Sequence, residues 1–164
     1  MTSPTTLNIA FGLNDVEFRG DDATYTVPVG VNTLATMISV TRPQPEELIN
    51  AIGLLMDHIE DVLREVPSAG FAERIECTGV GLGTIAAVEV GGAATSPFEL
   101  TRVTAEEVFR TLATESATDR ARNPGLPATE VHQVLGACCA VVAVMRALQA
   151  SVVHLIHSPN NVGP

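Results

Sequence analysis

The stretch LNIAFGLNDVEF, Leu7 to Phe18, decides how this chain is read. It runs as a strand, breaks at the single glycine Gly12, and resumes as a second strand after Asn14 and Asp15. A third strand, ATYTVPVGV, follows the turn-forming RGDD at Arg19–Asp22 and ends at Val31. The three together read as an antiparallel meander.

Working outward, Leu48, Ile52, Leu55, Met56, Ile59, Val62, Leu63 and Val66 recur at steps of three and four residues, with acids on the opposite face. This predicts a helix from Gln44 to Pro67. Pro45 suits its first position, Glu46 and Glu47 suit the positive end of its dipole, and Pro67 follows its end. ERIECTGVGLGT then reads as a short strand entering a glycine-rich turn, with TIAAVEVG as a short helix behind it. Thr104 and Glu107 form a capping box for a helix through about Ser116. RNPGLPATE is a loop, and Thr129 caps a long helix to about Gln149. Within that helix VLGACCAVVAVM, Val134 to Met145, is apolar all round but shorter than the roughly 20 residues of a membrane span. Burial in a core or an interface is the expectation. SVVHLIHS, Ser151 to Ser158, reads as a buried parallel strand. The tails Met1–Thr6 and Pro159–Pro164 are expected to be loose.

The composition bounds the function. A chain of 164 residues supports one domain, 1–164, with a real core. Nine basic against nineteen acidic residues leave a net charge of −10, and every basic residue is an arginine. These are scattered, which argues against nucleic acid or an anionic membrane as partner. The start MTSPTTLNIA lacks a basic, apolar signal region, so a cytoplasmic protein is expected. Cys77, Cys138 and Cys139 form neither a disulfide framework nor a zinc spacing. His58, His132, His154 and His157 do not cluster, His154 and His157 falling on opposite faces of one strand. No metal site follows, and no serine or cysteine has the surroundings of a nucleophile.

Three antiparallel strands followed by alternating helices and strands is the order of a ribonuclease-H-like, actin-like half. The expected fold is therefore α/β, a five-stranded mixed sheet with helices. The segments LNIAFGLNDVEF, TVPVGVNTL, PQPEELINAI, CTGVGLGTIAAV, FELTRVTAEEV and SATDRARNPGLPATEVHQVLGA sharpen this. Over about residues 5–158 their order resembles the second lobe of the exopolyphosphatase and guanosine pentaphosphate phosphohydrolase family, Ppx/GppA. In that family the active site lies between two lobes, and the second opens with Asp-Ile-Gly-Gly-Gly-Ser-Thr-Glu. Here the same places read Asn8, Ile9, Ala10, Phe11, Gly12, Leu13, Asn14 and Asp15.

Each change removes chemistry. Backbone amides cradle a phosphate where glycines let the chain approach it, and Ala10 and Phe11 end that freedom. Asn8 lacks the charge that holds a metal, and Leu13 lacks a hydroxyl. Gly12 and the carboxylate of Asp15 survive, Asp15 being either a residual acid or a solvated turn former. The second turn keeps Gly79, Gly81 and Gly83 with Thr84, so the resemblance leaves an anion or close packing as its reason. The family's Asp-Val-Ile-Gly-Gly-Gly-like helix start corresponds to His132 through Ala137. The first lobe is missing from the sequence.

The resemblance implies a vestigial phosphate site at Asn8, Gly12, Asn14, Gly79, Gly81, Gly83 and Thr84, and a degenerate protein acting as a binding or regulatory module. No cofactor is expected. The alternatives are a magnesium-dependent phosphohydrolase completed by a second chain, and a structural subunit that stabilises an intact paralogue. A small phosphate anion remains a candidate ligand. A homodimer or a protein partner is expected, with Phe11 or the helix residues Val134, Val141 and Met145 in the contact.

Overall fold

Alternating burial builds the sheet. A computed structural model describes residues 5–127 and 130–157. In β1, Thr6–Phe11, the residues Leu7, Ile9 and Phe11 are buried while Asn8 and Ala10 between them are exposed. The same period of two runs through β2 (Val16–Arg19), β4 (Arg74–Gly79) and β6 (Val152–Leu155). The register lines up Phe18, Ile9, Cys77 and Leu155 across one face, and Arg19, Asn8, Glu76 and His154 across the other. One face is therefore core. The other is polar, tied by Arg74 to Glu76 at 2.7 Å and by Arg74 to His154 at 3.3 Å.

The order is β3-β2-β1-β4-β6-β5, with β3 at Thr24–Val27 and β5 at Phe98–Thr101. β1, β4 and β6 are parallel, while the β1–β2, β2–β3 and β5–β6 pairs are antiparallel. This is the meander-first, mixed-sheet order expected of a ribonuclease-H-like, actin-like lobe, and β6 shares the sheet with β1. Among the described residues the sheet has six strands rather than five. β5, FELT, is too short for its alternation to register, since two of its four residues are polar.

Two further expectations are corrected at local boundaries. The third strand stops at Val27, and Gly30 caps a short helix, α1, at Val31–Ala35 in place of strand residues. The helix α4, Arg102–Thr114, is capped by Thr101 and not by Thr104: the Thr104 amide donates to the Thr101 hydroxyl at 3.1 Å. The cap proposed at Thr129 lies outside the described residues.

Helix α2 spans Pro45–Glu65 with Pro45 in its first turn, and its Ala51, Ile52, Leu55, Ile59 and Val62 are buried. Helix α3, Leu82–Val90, follows the glycine-rich turn, and α5, Ala117–Arg120, interrupts the stretch between α4 and the loop. Helix α6, Gln133–Ala147, is the hub of the helical layer, packed against α1, α2, α3 and α4. Every residue from Val134 to Met145 is buried. A Cβ on Gly136 would stand 2.2 Å from the Val31 carbonyl, so α1 reaches α6 only because that position is glycine. No described helix is long and apolar enough to cross a membrane.

Two polar ties lock the layer. Glu106 on α4 accepts from Arg146 on α6 at 2.6 and 2.9 Å, and these bonds hold its carboxyl below the usual range. Arg120 is 0 % exposed and donates to the backbone carbonyls of Leu112, Glu115, Val40 and Val131 at 2.7–3.2 Å. Burial lowers its pKa, an effect that the Glu115 carboxylate opposes.

The cysteines are core residues. Burial pushes the thiols of Cys77 and Cys139 up to about 12 and raises that of Cys138 as well. A thiolate is the reactive species. Ellman's reagent at neutral pH is therefore expected to find no accessible thiol in folded protein, and three per chain in denaturant. Rapid labelling under native conditions would contradict this packing.

Candidate functional site

The turn after β1 and the turn after β4 lie side by side, because Phe11 and Gly79 are partners across parallel strands and the Val80 amide donates to the Phe11 carbonyl at 2.9 Å. In open α/β sheets this carboxyl edge is where ligands bind.

The first turn is occupied by contacts of its own. Gly12 closes it by donating to the Asp15 carbonyl at 2.8 Å. The Gly12 carbonyl accepts from Val31 at 2.9 Å, and the Leu13 carbonyl accepts from Asn32 at 2.8 Å. These donors are the first amides of α1, the groups a helix start leaves unpaired. The turn thus presents the Gly12 and Leu13 carbonyl oxygens to the start of a helix. Gly30 backs directly on it: a Cβ there would stand 2.5 Å from the Asn14 and Asp15 amides. Leu13, Asn14 and Asp15 are exposed, and the Asp15 carboxylate folds back toward Gly12.

Asn8 is not brought to this edge. It sits within β1 on the open polar face, between Arg19 and Glu76 in the register. Phe11 is 2 % exposed and points into the core. It neither blocks a phosphate pocket nor forms a surface patch. Val134, Val141 and Met145 are likewise buried within the single chain, so the contact expected through these four residues has no surface to form on. Phe11 and the apolar stretch Val134 to Met145 are absorbed by the chain's own core.

The second turn is shaped by packing. Gly79 has φ +121°, and a Cβ on it would stand 2.1 Å from the Phe11 carbonyl. Gly81, at φ +83°, caps α3 and lies against Ala137 of α6, where a Cβ would approach to 2.6 Å. Gly83 faces His157 with its Cβ position 3.3 Å from that side chain. Thr84, in the first turn of α3, donates its hydroxyl to the Glu130 carboxylate at 2.9 Å. A negative group therefore already stands at the positive end of α3. Sequence reasoning missed Glu130. Its only signal is a carboxylate just ahead of α6, in a stretch read as loop.

The histidines have separate tasks. His132 precedes α6 and donates Nε2–H to the Ala35 carbonyl at 2.8 Å, with Nδ1 buried and unpartnered. His154 lies in β6. His157 lies beyond the strand and not on it, donating through Nε2 to the Thr95 carbonyl at 2.9 Å while its amide donates to the Ser96 hydroxyl at 3.0 Å. Among the described residues no three His, Cys, Asp or Glu side chains are grouped to hold a metal ion.

No family model matches the sequence, and no curated protein matches it. Solved structures do. A Ppx/GppA phosphatase from Aquifex aeolicus superimposes with a TM-score of 0.80 at 15% identity, over 95% of this chain and 54% of that one. An exopolyphosphatase-like protein gives 0.79 at 15%, over 96% and 55%. An exopolyphosphatase from Cytophaga hutchinsonii gives 0.71 at 14%, over 96% and 54%. The chain spans about half the length of the structures it matches. What the sequence resembles, the coordinates bear out at the level of architecture: this chain has the fold of one half of a Ppx/GppA phosphatase.

Proposed function

We propose that the chain is a catalytically degenerate relative of that phosphatase half, acting as a binding or regulatory module and hydrolysing nothing. One observation carries the reading. Both turns at the carboxyl edge are engaged from within, the Gly12 and Leu13 carbonyls by the first amides of α1 and the Thr84 hydroxyl by the Glu130 carboxylate. Phosphoryl transfer depends on positioned donors and charge that meet the transferred group. Here the Gly12 and Leu13 carbonyls are taken up by α1, the second turn holds a carboxylate, and the residue at the family's metal position is Asn8, which carries no charge. A second chain that completed the cleft would meet the same obstacles.

The test is direct. With magnesium and polyphosphate, guanosine pentaphosphate or a nucleoside triphosphate, purified protein should release no phosphate above the blank. Asn8→Asp should leave that result unchanged. Phe11→Gly is no restoration either, because it opens a core cavity costing about 3–5 kcal/mol. Turnover that disappears in Asp15→Ala would overturn the reading.

A further inference from the structure

The ties that engage the two turns of the carboxyl edge meet at one side chain. The first turn is held by α1, and Ala35, the last residue of α1, offers its carbonyl to His132 Nε2 at 2.8 Å. The second turn is held by Glu130, two residues ahead of His132. His132 itself opens α6, its carbonyl accepting from the Leu135 amide at 3.1 Å. Its backbone is therefore fixed to the hub of the helical layer, and its ring joins that hub to α1.

This geometry sets the proton count of the ring. A carbonyl only accepts, so Nε2 carries the hydrogen and Nδ1 is the bare nitrogen of a neutral imidazole. Nδ1 is buried and has no partner among the described residues. A second proton would make it a buried donor with nothing to receive it. The surrounding elements do not supply an acceptor. α1 carries no titratable side chain. Glu47 of α2 lies close enough to feel charge on the ring, but its carboxylate already accepts from the Ser39 amide and hydroxyl and from the Gln44 amide at 2.7–3.1 Å. Arg120 of α5 donates to the Val131 carbonyl at 3.2 Å, so a cation stands one residue from the ring. Glu115, just past α4, acts on Arg120 with its charge and has a buried Oε1 that is not bonded to the ring. Glu130, on the ring's own segment, is taken by Thr84.

We propose that His132 is a pH-sensitive latch on the carboxyl edge. Neutral, it holds the Glu130–His132 segment on α1 with Glu130 against Thr84. Protonated from solvent, the ring turns to water, gives up the Ala35 carbonyl and draws Glu130 off Thr84. The edge is thus closed at neutral pH and opens as pH falls through the range in which imidazoles titrate, about 5 to 8. This rests on the reading of that edge as a site closed from within, and adds the condition under which it opens.

The test is NMR of the full chain without ligand from about pH 8 to 5, with circular dichroism to show that the fold persists. The His132 ring should titrate. The amide of Thr36, which shares a peptide plane with the Ala35 carbonyl, and that of Thr84 should shift with the same midpoint. His132→Gln keeps an N–H donor for the carbonyl and takes no second proton, so both shifts should be lost. Glu130→Ala should place the Thr84 amide at neutral pH where acid takes it in wild type, and hold it there. His157 faces Gly83 and is the rival source of a shift at Thr84, so His157→Gln should leave both transitions in place. A ring that does not titrate in this range, a Thr84 amide that stays still while the ring titrates, a shift that survives His132→Gln or one that vanishes with His157→Gln would each overturn the proposal. Phosphate release in the hydrolysis assay would remove the reading of a degenerate module and leave these outcomes untouched.

Discussion

Gly79→Ala should yield little folded protein. The residue sits at φ +121°, a region L side chains avoid, and its Cβ would stand 2.1 Å from the Phe11 carbonyl and 2.8 Å from the Phe11 carbonyl carbon and amide nitrogen. That carbonyl cannot retreat, because it accepts from Val80 at the point where β1 and β4 end together. Dihedral strain and a backbone collision at the sheet's centre should cost about 4 kcal/mol or more, a large part of a domain's stability. Urea unfolding measures it. Gly92→Ala is the control, since its Cβ position meets nothing within 4 Å, and it should change stability by less than about 0.5 kcal/mol. Equal midpoints for the two variants would contradict the assigned role of Gly79.

Arg120→Met should cost about 3–5 kcal/mol. The guanidinium serves four carbonyls from four places: within α4 at Leu112, just past its end at Glu115, at Val40 ahead of α2, and at Val131 ahead of α6. Methionine fills much of the volume but leaves those oxygens without a donor in a buried space. Arg120→Lys keeps the charge with three donors and no planar fork, so it should recover only part of the loss. Thermal unfolding of the two variants beside wild type decides this. A methionine variant as stable as wild type would show that water or rearrangement satisfies the carbonyls.

The features legible in the sequence were those that a periodic pattern announces. The steps of three and four from Leu48 to Val62 gave α2, and the alternation Leu7, Ile9, Phe11 gave β1. The illegible ones are set by partners distant in sequence. FELT becomes a strand because Leu100 lies opposite Val153 and Phe98 opposite Leu155, on a strand some fifty residues later. Val31–Ala35 becomes a helix because the carbonyls of Gly12 and Leu13 receive its first amides. The site followed the same rule. GVGLGT is compatible with an anion cradle and with close packing, and only the positions of Phe11, Ala137 and His157 separate the two. Phe11 reads as an intrusion when aligned with a glycine, yet it continues the inward alternation of Leu7 and Ile9. Arg120 carries no signal that would mark it from the other arginines, because what it binds is backbone.

The place of α6 bears on the order in which the molecule can be assembled. The helix that α1, α2, α3 and α4 all touch is the last of the described helices, at Gln133–Ala147. During synthesis the earlier elements emerge with their apolar faces turned toward a partner that has not yet been made, and at about 5–20 residues per second that interval lasts several seconds. The meander can pair and α2 can coil as each leaves the ribosome, since their contacts are local. The core cannot close until Met145 is free of the exit tunnel, so a ribosome stalled before that point would carry a chain in need of chaperone cover.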